Sequence, residues 1–130
     1  MDPVKENTGK ILYPDLSYKI VGLAMEIHRK LGPGFLEKVY ENALMVLLRR
    51  QSIRVVQQAS IDVHFEGELV GHYVADILVE DKIIVEIKAV ADLTSANKAQ
   101  ALNYLKATNH RLALLINFGR ESLQFERIAR

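Results

Sequence analysis

Residues 73–90 read Y-V-A-D-I-L-V-E-D-K-I-I-V-E-I-K-A-V, two apolar runs separated by a short charged segment. The runs are rich in β-branched residues, and the charged segment 80–82 is typical of a turn, so the stretch predicts a β-hairpin. Antiparallel pairing about a centre near residue 81 places Asp76 of the first strand opposite Glu86 of the second. Because side chains alternate between the two faces of a strand, Glu86 and Lys88 are expected on one face.

Asp76, Glu86 and Lys88 are charged residues within otherwise apolar strands, which makes them candidates for a functional site. Side chains directly opposed across two strands lie roughly 5 Å apart on the same face. Two carboxylates at that distance repel each other by about 1 kcal/mol in water and by several-fold more in drier surroundings. A divalent cation would neutralise them, and oxygen-only ligands favour Mg²⁺ or Mn²⁺. Lys88 could then orient a water or stabilise a phosphate.

A simpler interpretation exists for the segment Glu86-Ile87-Lys88 taken alone. An edge strand with one solvent-exposed face also carries charged residues at alternate positions, and charged side chains mostly face solvent. The position of Asp76 across the hairpin is therefore what favours a functional site over a solvated strand.

Outward from the hairpin, periodicity predicts an α/β domain. Apolar residues at helical spacing predict two helices before it, with Asp15 as a cap of the first, and the segment 32–34 (Gly-Pro-Gly) separates them. The predicted helices are 15–31, 35–50 and about 95–107, and the predicted strands are 53–65, 69–79, 83–90, 111–118 and 123–128. Three strands in an antiparallel meander plus one or two further strands form a mixed central sheet, with helices on both sides.

Length and composition bound the class of protein. At 130 residues we expect one domain, residues 15–130, preceded by a flexible lead-in, residues 1–14. The chain has no cysteine, which excludes disulfides and thiolate metal sites and fits a cytoplasmic location. It has no apolar run long enough to span a bilayer, so no membrane association is expected. The net charge of +1 neither supports nor excludes nucleic-acid binding.

The chain contains four motifs that resemble those of a known family. Asp76 followed by Glu86-Ile87-Lys88 resembles the D…(D/E)-x-K signature of the PD-(D/E)XK nuclease superfamily, with Ala75 where the family name has Pro. Gly34…Glu37…Tyr40 is similar to the pattern of the GxxExxY branch of this superfamily. Gln100…Tyr104 is similar to the Q-x-x-x-Y helix of its exonuclease-like members, and the fourth motif is the run 115–119. The resemblance covers residues 16–128 and implies a restriction-endonuclease-like sandwich.

The resemblance also implies roles for individual residues. Asp76, Glu86, the backbone carbonyl of Ile87 and Glu37 would bind Mg²⁺ or Mn²⁺, and Lys88 would complete the catalytic set. Three further residues are assigned to substrate positioning: Gln100, Tyr104 and Tyr40. From the residues alone, a helix-surface pair remains open for Gln100 and Tyr104, and a solvated residue beside a packing tyrosine remains open for Glu37 and Tyr40.

Two functions of different classes follow. The first is a metal-dependent nuclease that hydrolyses phosphodiester bonds, with DNA as the expected substrate and, by analogy with small proteins of this kind, a homodimer as the expected assembly. The alternative is a non-catalytic module that retains the nuclease fold and binds nucleic acid or a protein. The near-neutral charge and small size of the chain favour this alternative, because no segment is clearly built to bind a long duplex.

Overall fold

The computed structural model describes residues 11–130, which form a five-stranded mixed sheet with helices on both faces. The helices are α1 (Pro14–Leu31), α2 (Glu37–Arg50) and α3 (Ser95–Thr108), and the strands are β1 (Val55–Phe65), β2 (Glu68–Val79), β3 (Ile83–Lys88), β4 (Leu112–Asn117) and β5 (Gln124–Ala129). The strands lie in the order β1-β2-β3-β4-β5. Strands β1 to β3 form the predicted antiparallel meander, β4 runs parallel to β3, and β5 is antiparallel to β4. The predicted fold class is confirmed.

Two apolar clusters cover the two faces of the sheet. The larger joins α1 and α2 to one face through buried residues such as Ile20, Leu44, Ile83 and Val85. The smaller packs α3 on the other face. Its buried members are Ala59, Tyr73, Ala75, Ile84, Leu93, Ala101, Leu105, Ala113 and Leu115. Successive residues of β3 and β4 fall in opposite clusters, as expected for strands covered on both sides.

The helix starts follow local rules, with one correction. Thr94 caps α3, because its side chain accepts from the Asn97 backbone and the Asn97 side chain accepts from the Thr94 backbone. Asp15 does not cap α1 as predicted. The helix begins one residue earlier, at Pro14, and Asp15 lies in its first turn. Proline suits this position because its fixed φ fits a helix and its missing N–H would have no helical partner there.

The packed chain extends to residues before α1. Leu12 is buried, and its carbonyl accepts a hydrogen bond of 2.7 Å from Arg127 of β5. The predicted flexible lead-in lies mostly in residues 1–10, outside the described residues, and stays a prediction there. Within the described part of the chain, no helix combines the length and apolar character that crossing a membrane requires.

The hairpin of β2 and β3 has the register predicted from the sequence. Ile77 pairs with Val85 and Val79 with Ile83, so the pairing is centred on residue 81. The ladder ends at Ile77 and Val85, and the two strands part immediately beyond them. Asp76 and Glu86 are the first residues past the last pair, so they stand at the fork between the strands.

Candidate functional site

The two acids at the fork bind each other's backbone. The Ile87 N–H donates to Asp76 Oδ2 at 2.8 Å, and the Asp76 N–H donates to the Glu86 carboxylate. These bonds take the place of the ladder bonds lost where the strands separate, so neither N–H group is left without an acceptor. The fork is therefore held open by the same side chains that the sequence selects as candidates for the site.

The alternation of side chains breaks in β1 and β2 beside this fork. Ala75 packs in the cluster under α3, whereas Ile77, two residues later, packs in the cluster under α1 and α2. Opposite them in β1, Gln58 has a left-handed backbone with φ of 52°. A non-glycine residue in that region is uncommon and reverses the strand's facing locally. The half of the β1–β2 hairpin that is nearer its turn therefore packs against α3. The other half, which contains Ile77 and Val79, packs on the α2 side of the sheet.

The break distributes the candidate residues over two cavities. The α2 cavity, about 600 Å³, is lined by Phe35, Leu36, Glu37, Lys38, Glu41, Gln58, Asp76 and Ala89. The α3 cavity, about 120 Å³, is lined by Tyr73, Val74, Glu86, Lys88, Asn97, Gln100, Ala101, Tyr104 and Leu115. Strict alternation predicts that Asp76 and Glu86 share one face of the sheet. In the structure they line different cavities instead. They meet at the boundary between the two cavities.

One carboxylate of this region was not selected from the sequence. Glu41 is 3% exposed, and its Oε2 accepts from Lys38 at 3.1 Å, Gln57 at 2.7 Å and Gln58 at 2.9 Å. The neighbouring residues Gln57 and Gln58 both reach it because of the left-handed turn at Gln58. A buried carboxylate requires such partners. The sequence signal that could have indicated it is the i, i+4 spacing from Glu37, which places both acids on one side of α2.

The environment shifts the proton affinity of both acids at the fork. Burial is the main cause that raises the pKa of Glu86 to about 7. Lys88 and the Asp76 N–H oppose this increase, and the charges of Glu41 and Glu37 add to it. Burial likewise raises the pKa of Asp76, against the stabilising bond from Ile87, and Glu41 raises it further. The region holds more negative charge than its neighbouring cations offset, which is the electrostatic setting of a cation site.

Glu37 and Tyr40 lie at the start of α2 but in different surroundings. Glu37 is exposed in the α2 cavity, and its Oε2 accepts from the Ala89 N–H at 3.2 Å, so it reaches the chain leaving β3. Tyr40 is fully buried and stacks on Phe118 with ring centroids 4.4 Å apart. Its hydroxyl donates to the Gly32 carbonyl and accepts from the backbone of the segment before α2. These contacts hold in place the chain segment that leads into α2 and to Glu37.

The structure brings the other predicted positioning residues to Lys88. Gln100 Nε2 donates to the Tyr104 hydroxyl at 3.0 Å across one turn of α3, and both line the α3 cavity with Lys88 and Glu86. Tyr104 also stacks on Tyr73 of β2, with ring centroids 3.6 Å apart and planes at 19°. The α3 cavity thus has one cationic, two amide and two aromatic side chains around one acid.

The donor set fits a divalent cation in its chemistry. Within residues 11–130, no three His, Cys, Asp or Glu side chains are arranged so as to hold a metal ion as they stand. Four carboxylates nevertheless approach the fork: Glu37, Glu41, Asp76 and Glu86. Such oxygen ligands suit Mg²⁺ or Mn²⁺. Asp76 and Glu86 line different cavities, so a cation held by both would lie at the boundary between them.

Comparison with known proteins gives a family and a fold. The sequence profile of the PD-(D/E)XK nuclease superfamily matches residues 14–128. No curated protein is significantly similar to the chain. The crystal structure of SSO0001 is similar with a TM-score of 0.59 and 15% identity, over 90% of this chain and 62% of that one. An alkaline exonuclease, LHK-Exo from Laribacter hongkongensis, is similar with a TM-score of 0.51 and 14% identity, over 93% of this chain and 72% of that one.

The two structural matches show the fold, whereas the profile match shows the superfamily. The chain spans less than two thirds of SSO0001, and at such identities the structural likeness concerns the fold alone. The profile match extends from α1 to β5 and contains the fork, α2 and α3. The mixed sheet and the acids at the fork agree with it, whereas the GxxExxY branch stays a prediction. The chain belongs to the PD-(D/E)XK nuclease superfamily.

Proposed function

We propose that the protein is a metal-dependent nuclease that hydrolyses phosphodiester bonds in DNA. The observation that carries this proposal is the placement of Asp76 and Glu86, both with raised pKa, beside Lys88 at the fork between β2 and β3. Membership of the superfamily supports a nuclease function for this cluster of residues, and the exonuclease LHK-Exo has a similar fold. Within the superfamily, Gly34, Glu37 and Tyr40 support assignment to the GxxExxY branch. The absence of cysteine supports action in the cytoplasm as part of the same proposal.

The residues that would hold the cation are Asp76, Glu86, the Ile87 carbonyl and Glu37. Asp76 and Glu37 already reach the backbone of β3 and of the segment that follows it. A bound Mg²⁺ or Mn²⁺ would polarise the phosphate and lower the pKa of a water molecule. Its positive charge would also stabilise the ionised form of Glu86, whose pKa is raised mainly by burial and further by the charges of Glu41 and Glu37.

Lys88 and the α3 cavity would handle the substrate. The Lys88 ammonium would stabilise the negative charge that develops on the phosphate oxygens as water attacks phosphorus and the ester P–O bond breaks. Gln100 and Tyr104, bonded to each other and beside Lys88, would position the phosphate of the strand being cut. Buried Tyr40 would contribute indirectly, by fixing the segment that leads to Glu37.

The direct test is cleavage of labelled DNA duplexes and single strands with Mg²⁺ or Mn²⁺. The wild type is compared with Asp76→Ala, Lys88→Ala and, as matched control, Glu121→Gln, which changes an exposed acid outside both cavities. We expect the two site variants to lose at least about 100-fold in rate, as for removal of a group that stabilises transition-state charge. The control should retain the wild-type rate. Cleavage that both site variants perform at that rate would refute the assignment of this site.

One observation favours a second candidate function, a non-catalytic module that binds nucleic acid or a protein partner. Asp76 and Glu86 line separate cavities, and the described residues contain no preassembled group of three metal ligands. If the protein is such a module, Glu86→Gln should leave its binding unchanged, and Mn²⁺ should not alter its melting temperature. A nuclease that holds metal in the free state should instead melt at a higher temperature with millimolar Mn²⁺.

A further inference from the structure

The Tyr73 hydroxyl is the buried polar group that the site described above leaves unexplained. Tyr73 is 7% exposed, and within residues 11–130 its hydroxyl has no hydrogen-bond partner. Leaving a buried hydroxyl unpaired costs free energy, and most buried polar groups in proteins are paired for this reason. Tyr40, the other buried tyrosine on which the site depends, has both a donor and an acceptor. A phenylalanine at 73 would keep the ring contacts without this cost.

The surroundings of Tyr73 point to a ligand. The residue lines the α3 cavity together with Glu86 and Lys88 of β3, and its ring stacks on Tyr104. Neither Tyr73 nor the stacking belongs to the sequence motifs of the chain. The stacked rings hold the Tyr73 side chain in one orientation, so a ligand that reached the hydroxyl would not have to immobilise it.

The size and polarity of the α3 cavity indicate which chemical group it can bind. Its volume of about 120 Å³ equals the share of about four water molecules in the liquid. This volume is sufficient for a phosphate group. Beside the Glu86 carboxylate, which a bound cation or a proton would neutralise, the lining offers the Lys88 ammonium and the amides of Gln100 and Asn97, which suit an anion with several acceptor oxygens.

We propose that the Tyr73 hydroxyl donates a hydrogen bond to a phosphate oxygen of the DNA substrate in the α3 cavity, next to Lys88. This inference rests on the proposed nuclease function and adds Tyr73 to its substrate-binding residues. Neighbouring atoms cover the hydroxyl in the free protein. Binding therefore requires a small displacement of the atoms that cover it. The unpaired hydroxyl lowers the stability of the free protein and acquires its partner in the complex.

The test uses Tyr73→Phe, which removes only the hydroxyl, and two matched variants of other tyrosines. Affinity is measured by fluorescence anisotropy with a short labelled DNA duplex and its single strand in Ca²⁺, and stability by thermal melting without DNA. We expect Tyr73→Phe to bind DNA about 10-fold more weakly, the loss of one hydrogen bond to a charged group, yet to melt about 2–4 °C higher. Tyr18→Phe, at an exposed residue of α1, should change neither property, whereas Tyr40→Phe should melt at a lower temperature.

Opposite signs in the two measurements distinguish substrate binding from a packing role. Unchanged affinity of Tyr73→Phe overturns the inference, whether its melting temperature rises or falls. A fall in both properties places the hydroxyl in a structural hydrogen bond and overturns the inference as well. Failure of the wild type itself to bind either oligonucleotide overturns the proposed nuclease function, and this inference with it. That result is distinct from equal binding by wild type and Tyr73→Phe, which leaves the nuclease function standing.

Discussion

Replacing Glu86 by Gln should make the metal-free protein more stable at high pH but not at low pH. Burial and the nearby acids raise the pKa of Glu86 from 4.5 to about 7 in the folded chain. The folded state therefore holds this proton more tightly than the unfolded state. Its contribution to the free energy of unfolding is fully present below pH 4.5, and it is lost as the pH rises through about 7.

The magnitude follows from the size of the shift. The change from 4.5 to about 7 is about 2.5 units, and each unit corresponds to about 1.4 kcal/mol, so ionised Glu86 costs up to about 3 kcal/mol of stability. Gln cannot ionise but has a side-chain oxygen that can accept the bond from the Asp76 N–H. The stability of Glu86→Gln relative to wild type should therefore rise by about 3 kcal/mol between about pH 4 and pH 8.

The assay is urea denaturation of both proteins across this pH range, in EDTA. The difference between the two proteins removes the titration of other groups, including most of the contribution of Asp76. A difference that stays constant from low to high pH would refute the reasoning, because it would mean that Glu86 titrates alike in folded and unfolded chains. Saturating Mn²⁺ should flatten the pH dependence of the wild type alone, since a bound cation favours the ionised carboxylate.

Three further predictions concern single positions. Gly119→Ala should destabilise the fold by about 2 kcal/mol in urea denaturation, because its Cβ would lie 2.3 Å from the Val90 carbonyl oxygen; wild-type stability would contradict this packing. Thr94→Ala should cost about 1 kcal/mol in the same assay, because it removes the side-chain acceptor of the Asn97 N–H, and an unchanged midpoint would show that the cap is dispensable. Asp76→Asn should reduce the rise in melting temperature that millimolar Mn²⁺ causes in the wild type, and an equal rise in both would exclude Asp76 as a ligand.

The sequence predicted the elements and the register of the hairpin because both depend on local features. The charged segment 80–82 and the alternating runs around it determine the register of β2 and β3, and the structure has the predicted centre. The chain's helices and strands begin and end within about two residues of the predicted bounds, and Thr94 lies in the polar segment expected to start α3. Asp15 was the misplaced cap, because Pro14 next to it is a good first residue of a helix.

The sequence could not predict which residues share a cavity. Strict alternation puts Asp76 and Glu86 on one face, but the left-handed backbone at Gln58 reverses the facing of the hairpin beside them. No local preference of glutamine indicates that conformation, which the packing of the hairpin against both α2 and α3 imposes. The role of Glu41 was missed for the same reason, because two of its three donors come from β1.

The amino-acid sequence by itself therefore determined the order of the elements, the hairpin register and the superfamily, since these depend on periodicity, turn residues and motifs within short segments. Only the tertiary structure decided that the acids meet at the boundary of two cavities, that Glu41 is buried beside them and that the Tyr73 hydroxyl is unpaired. The physical reason is that burial and pairing depend on which distant segments pack together. The same burial raises the pKa of Glu86 and makes the fork chemically distinct from an ordinary charged strand.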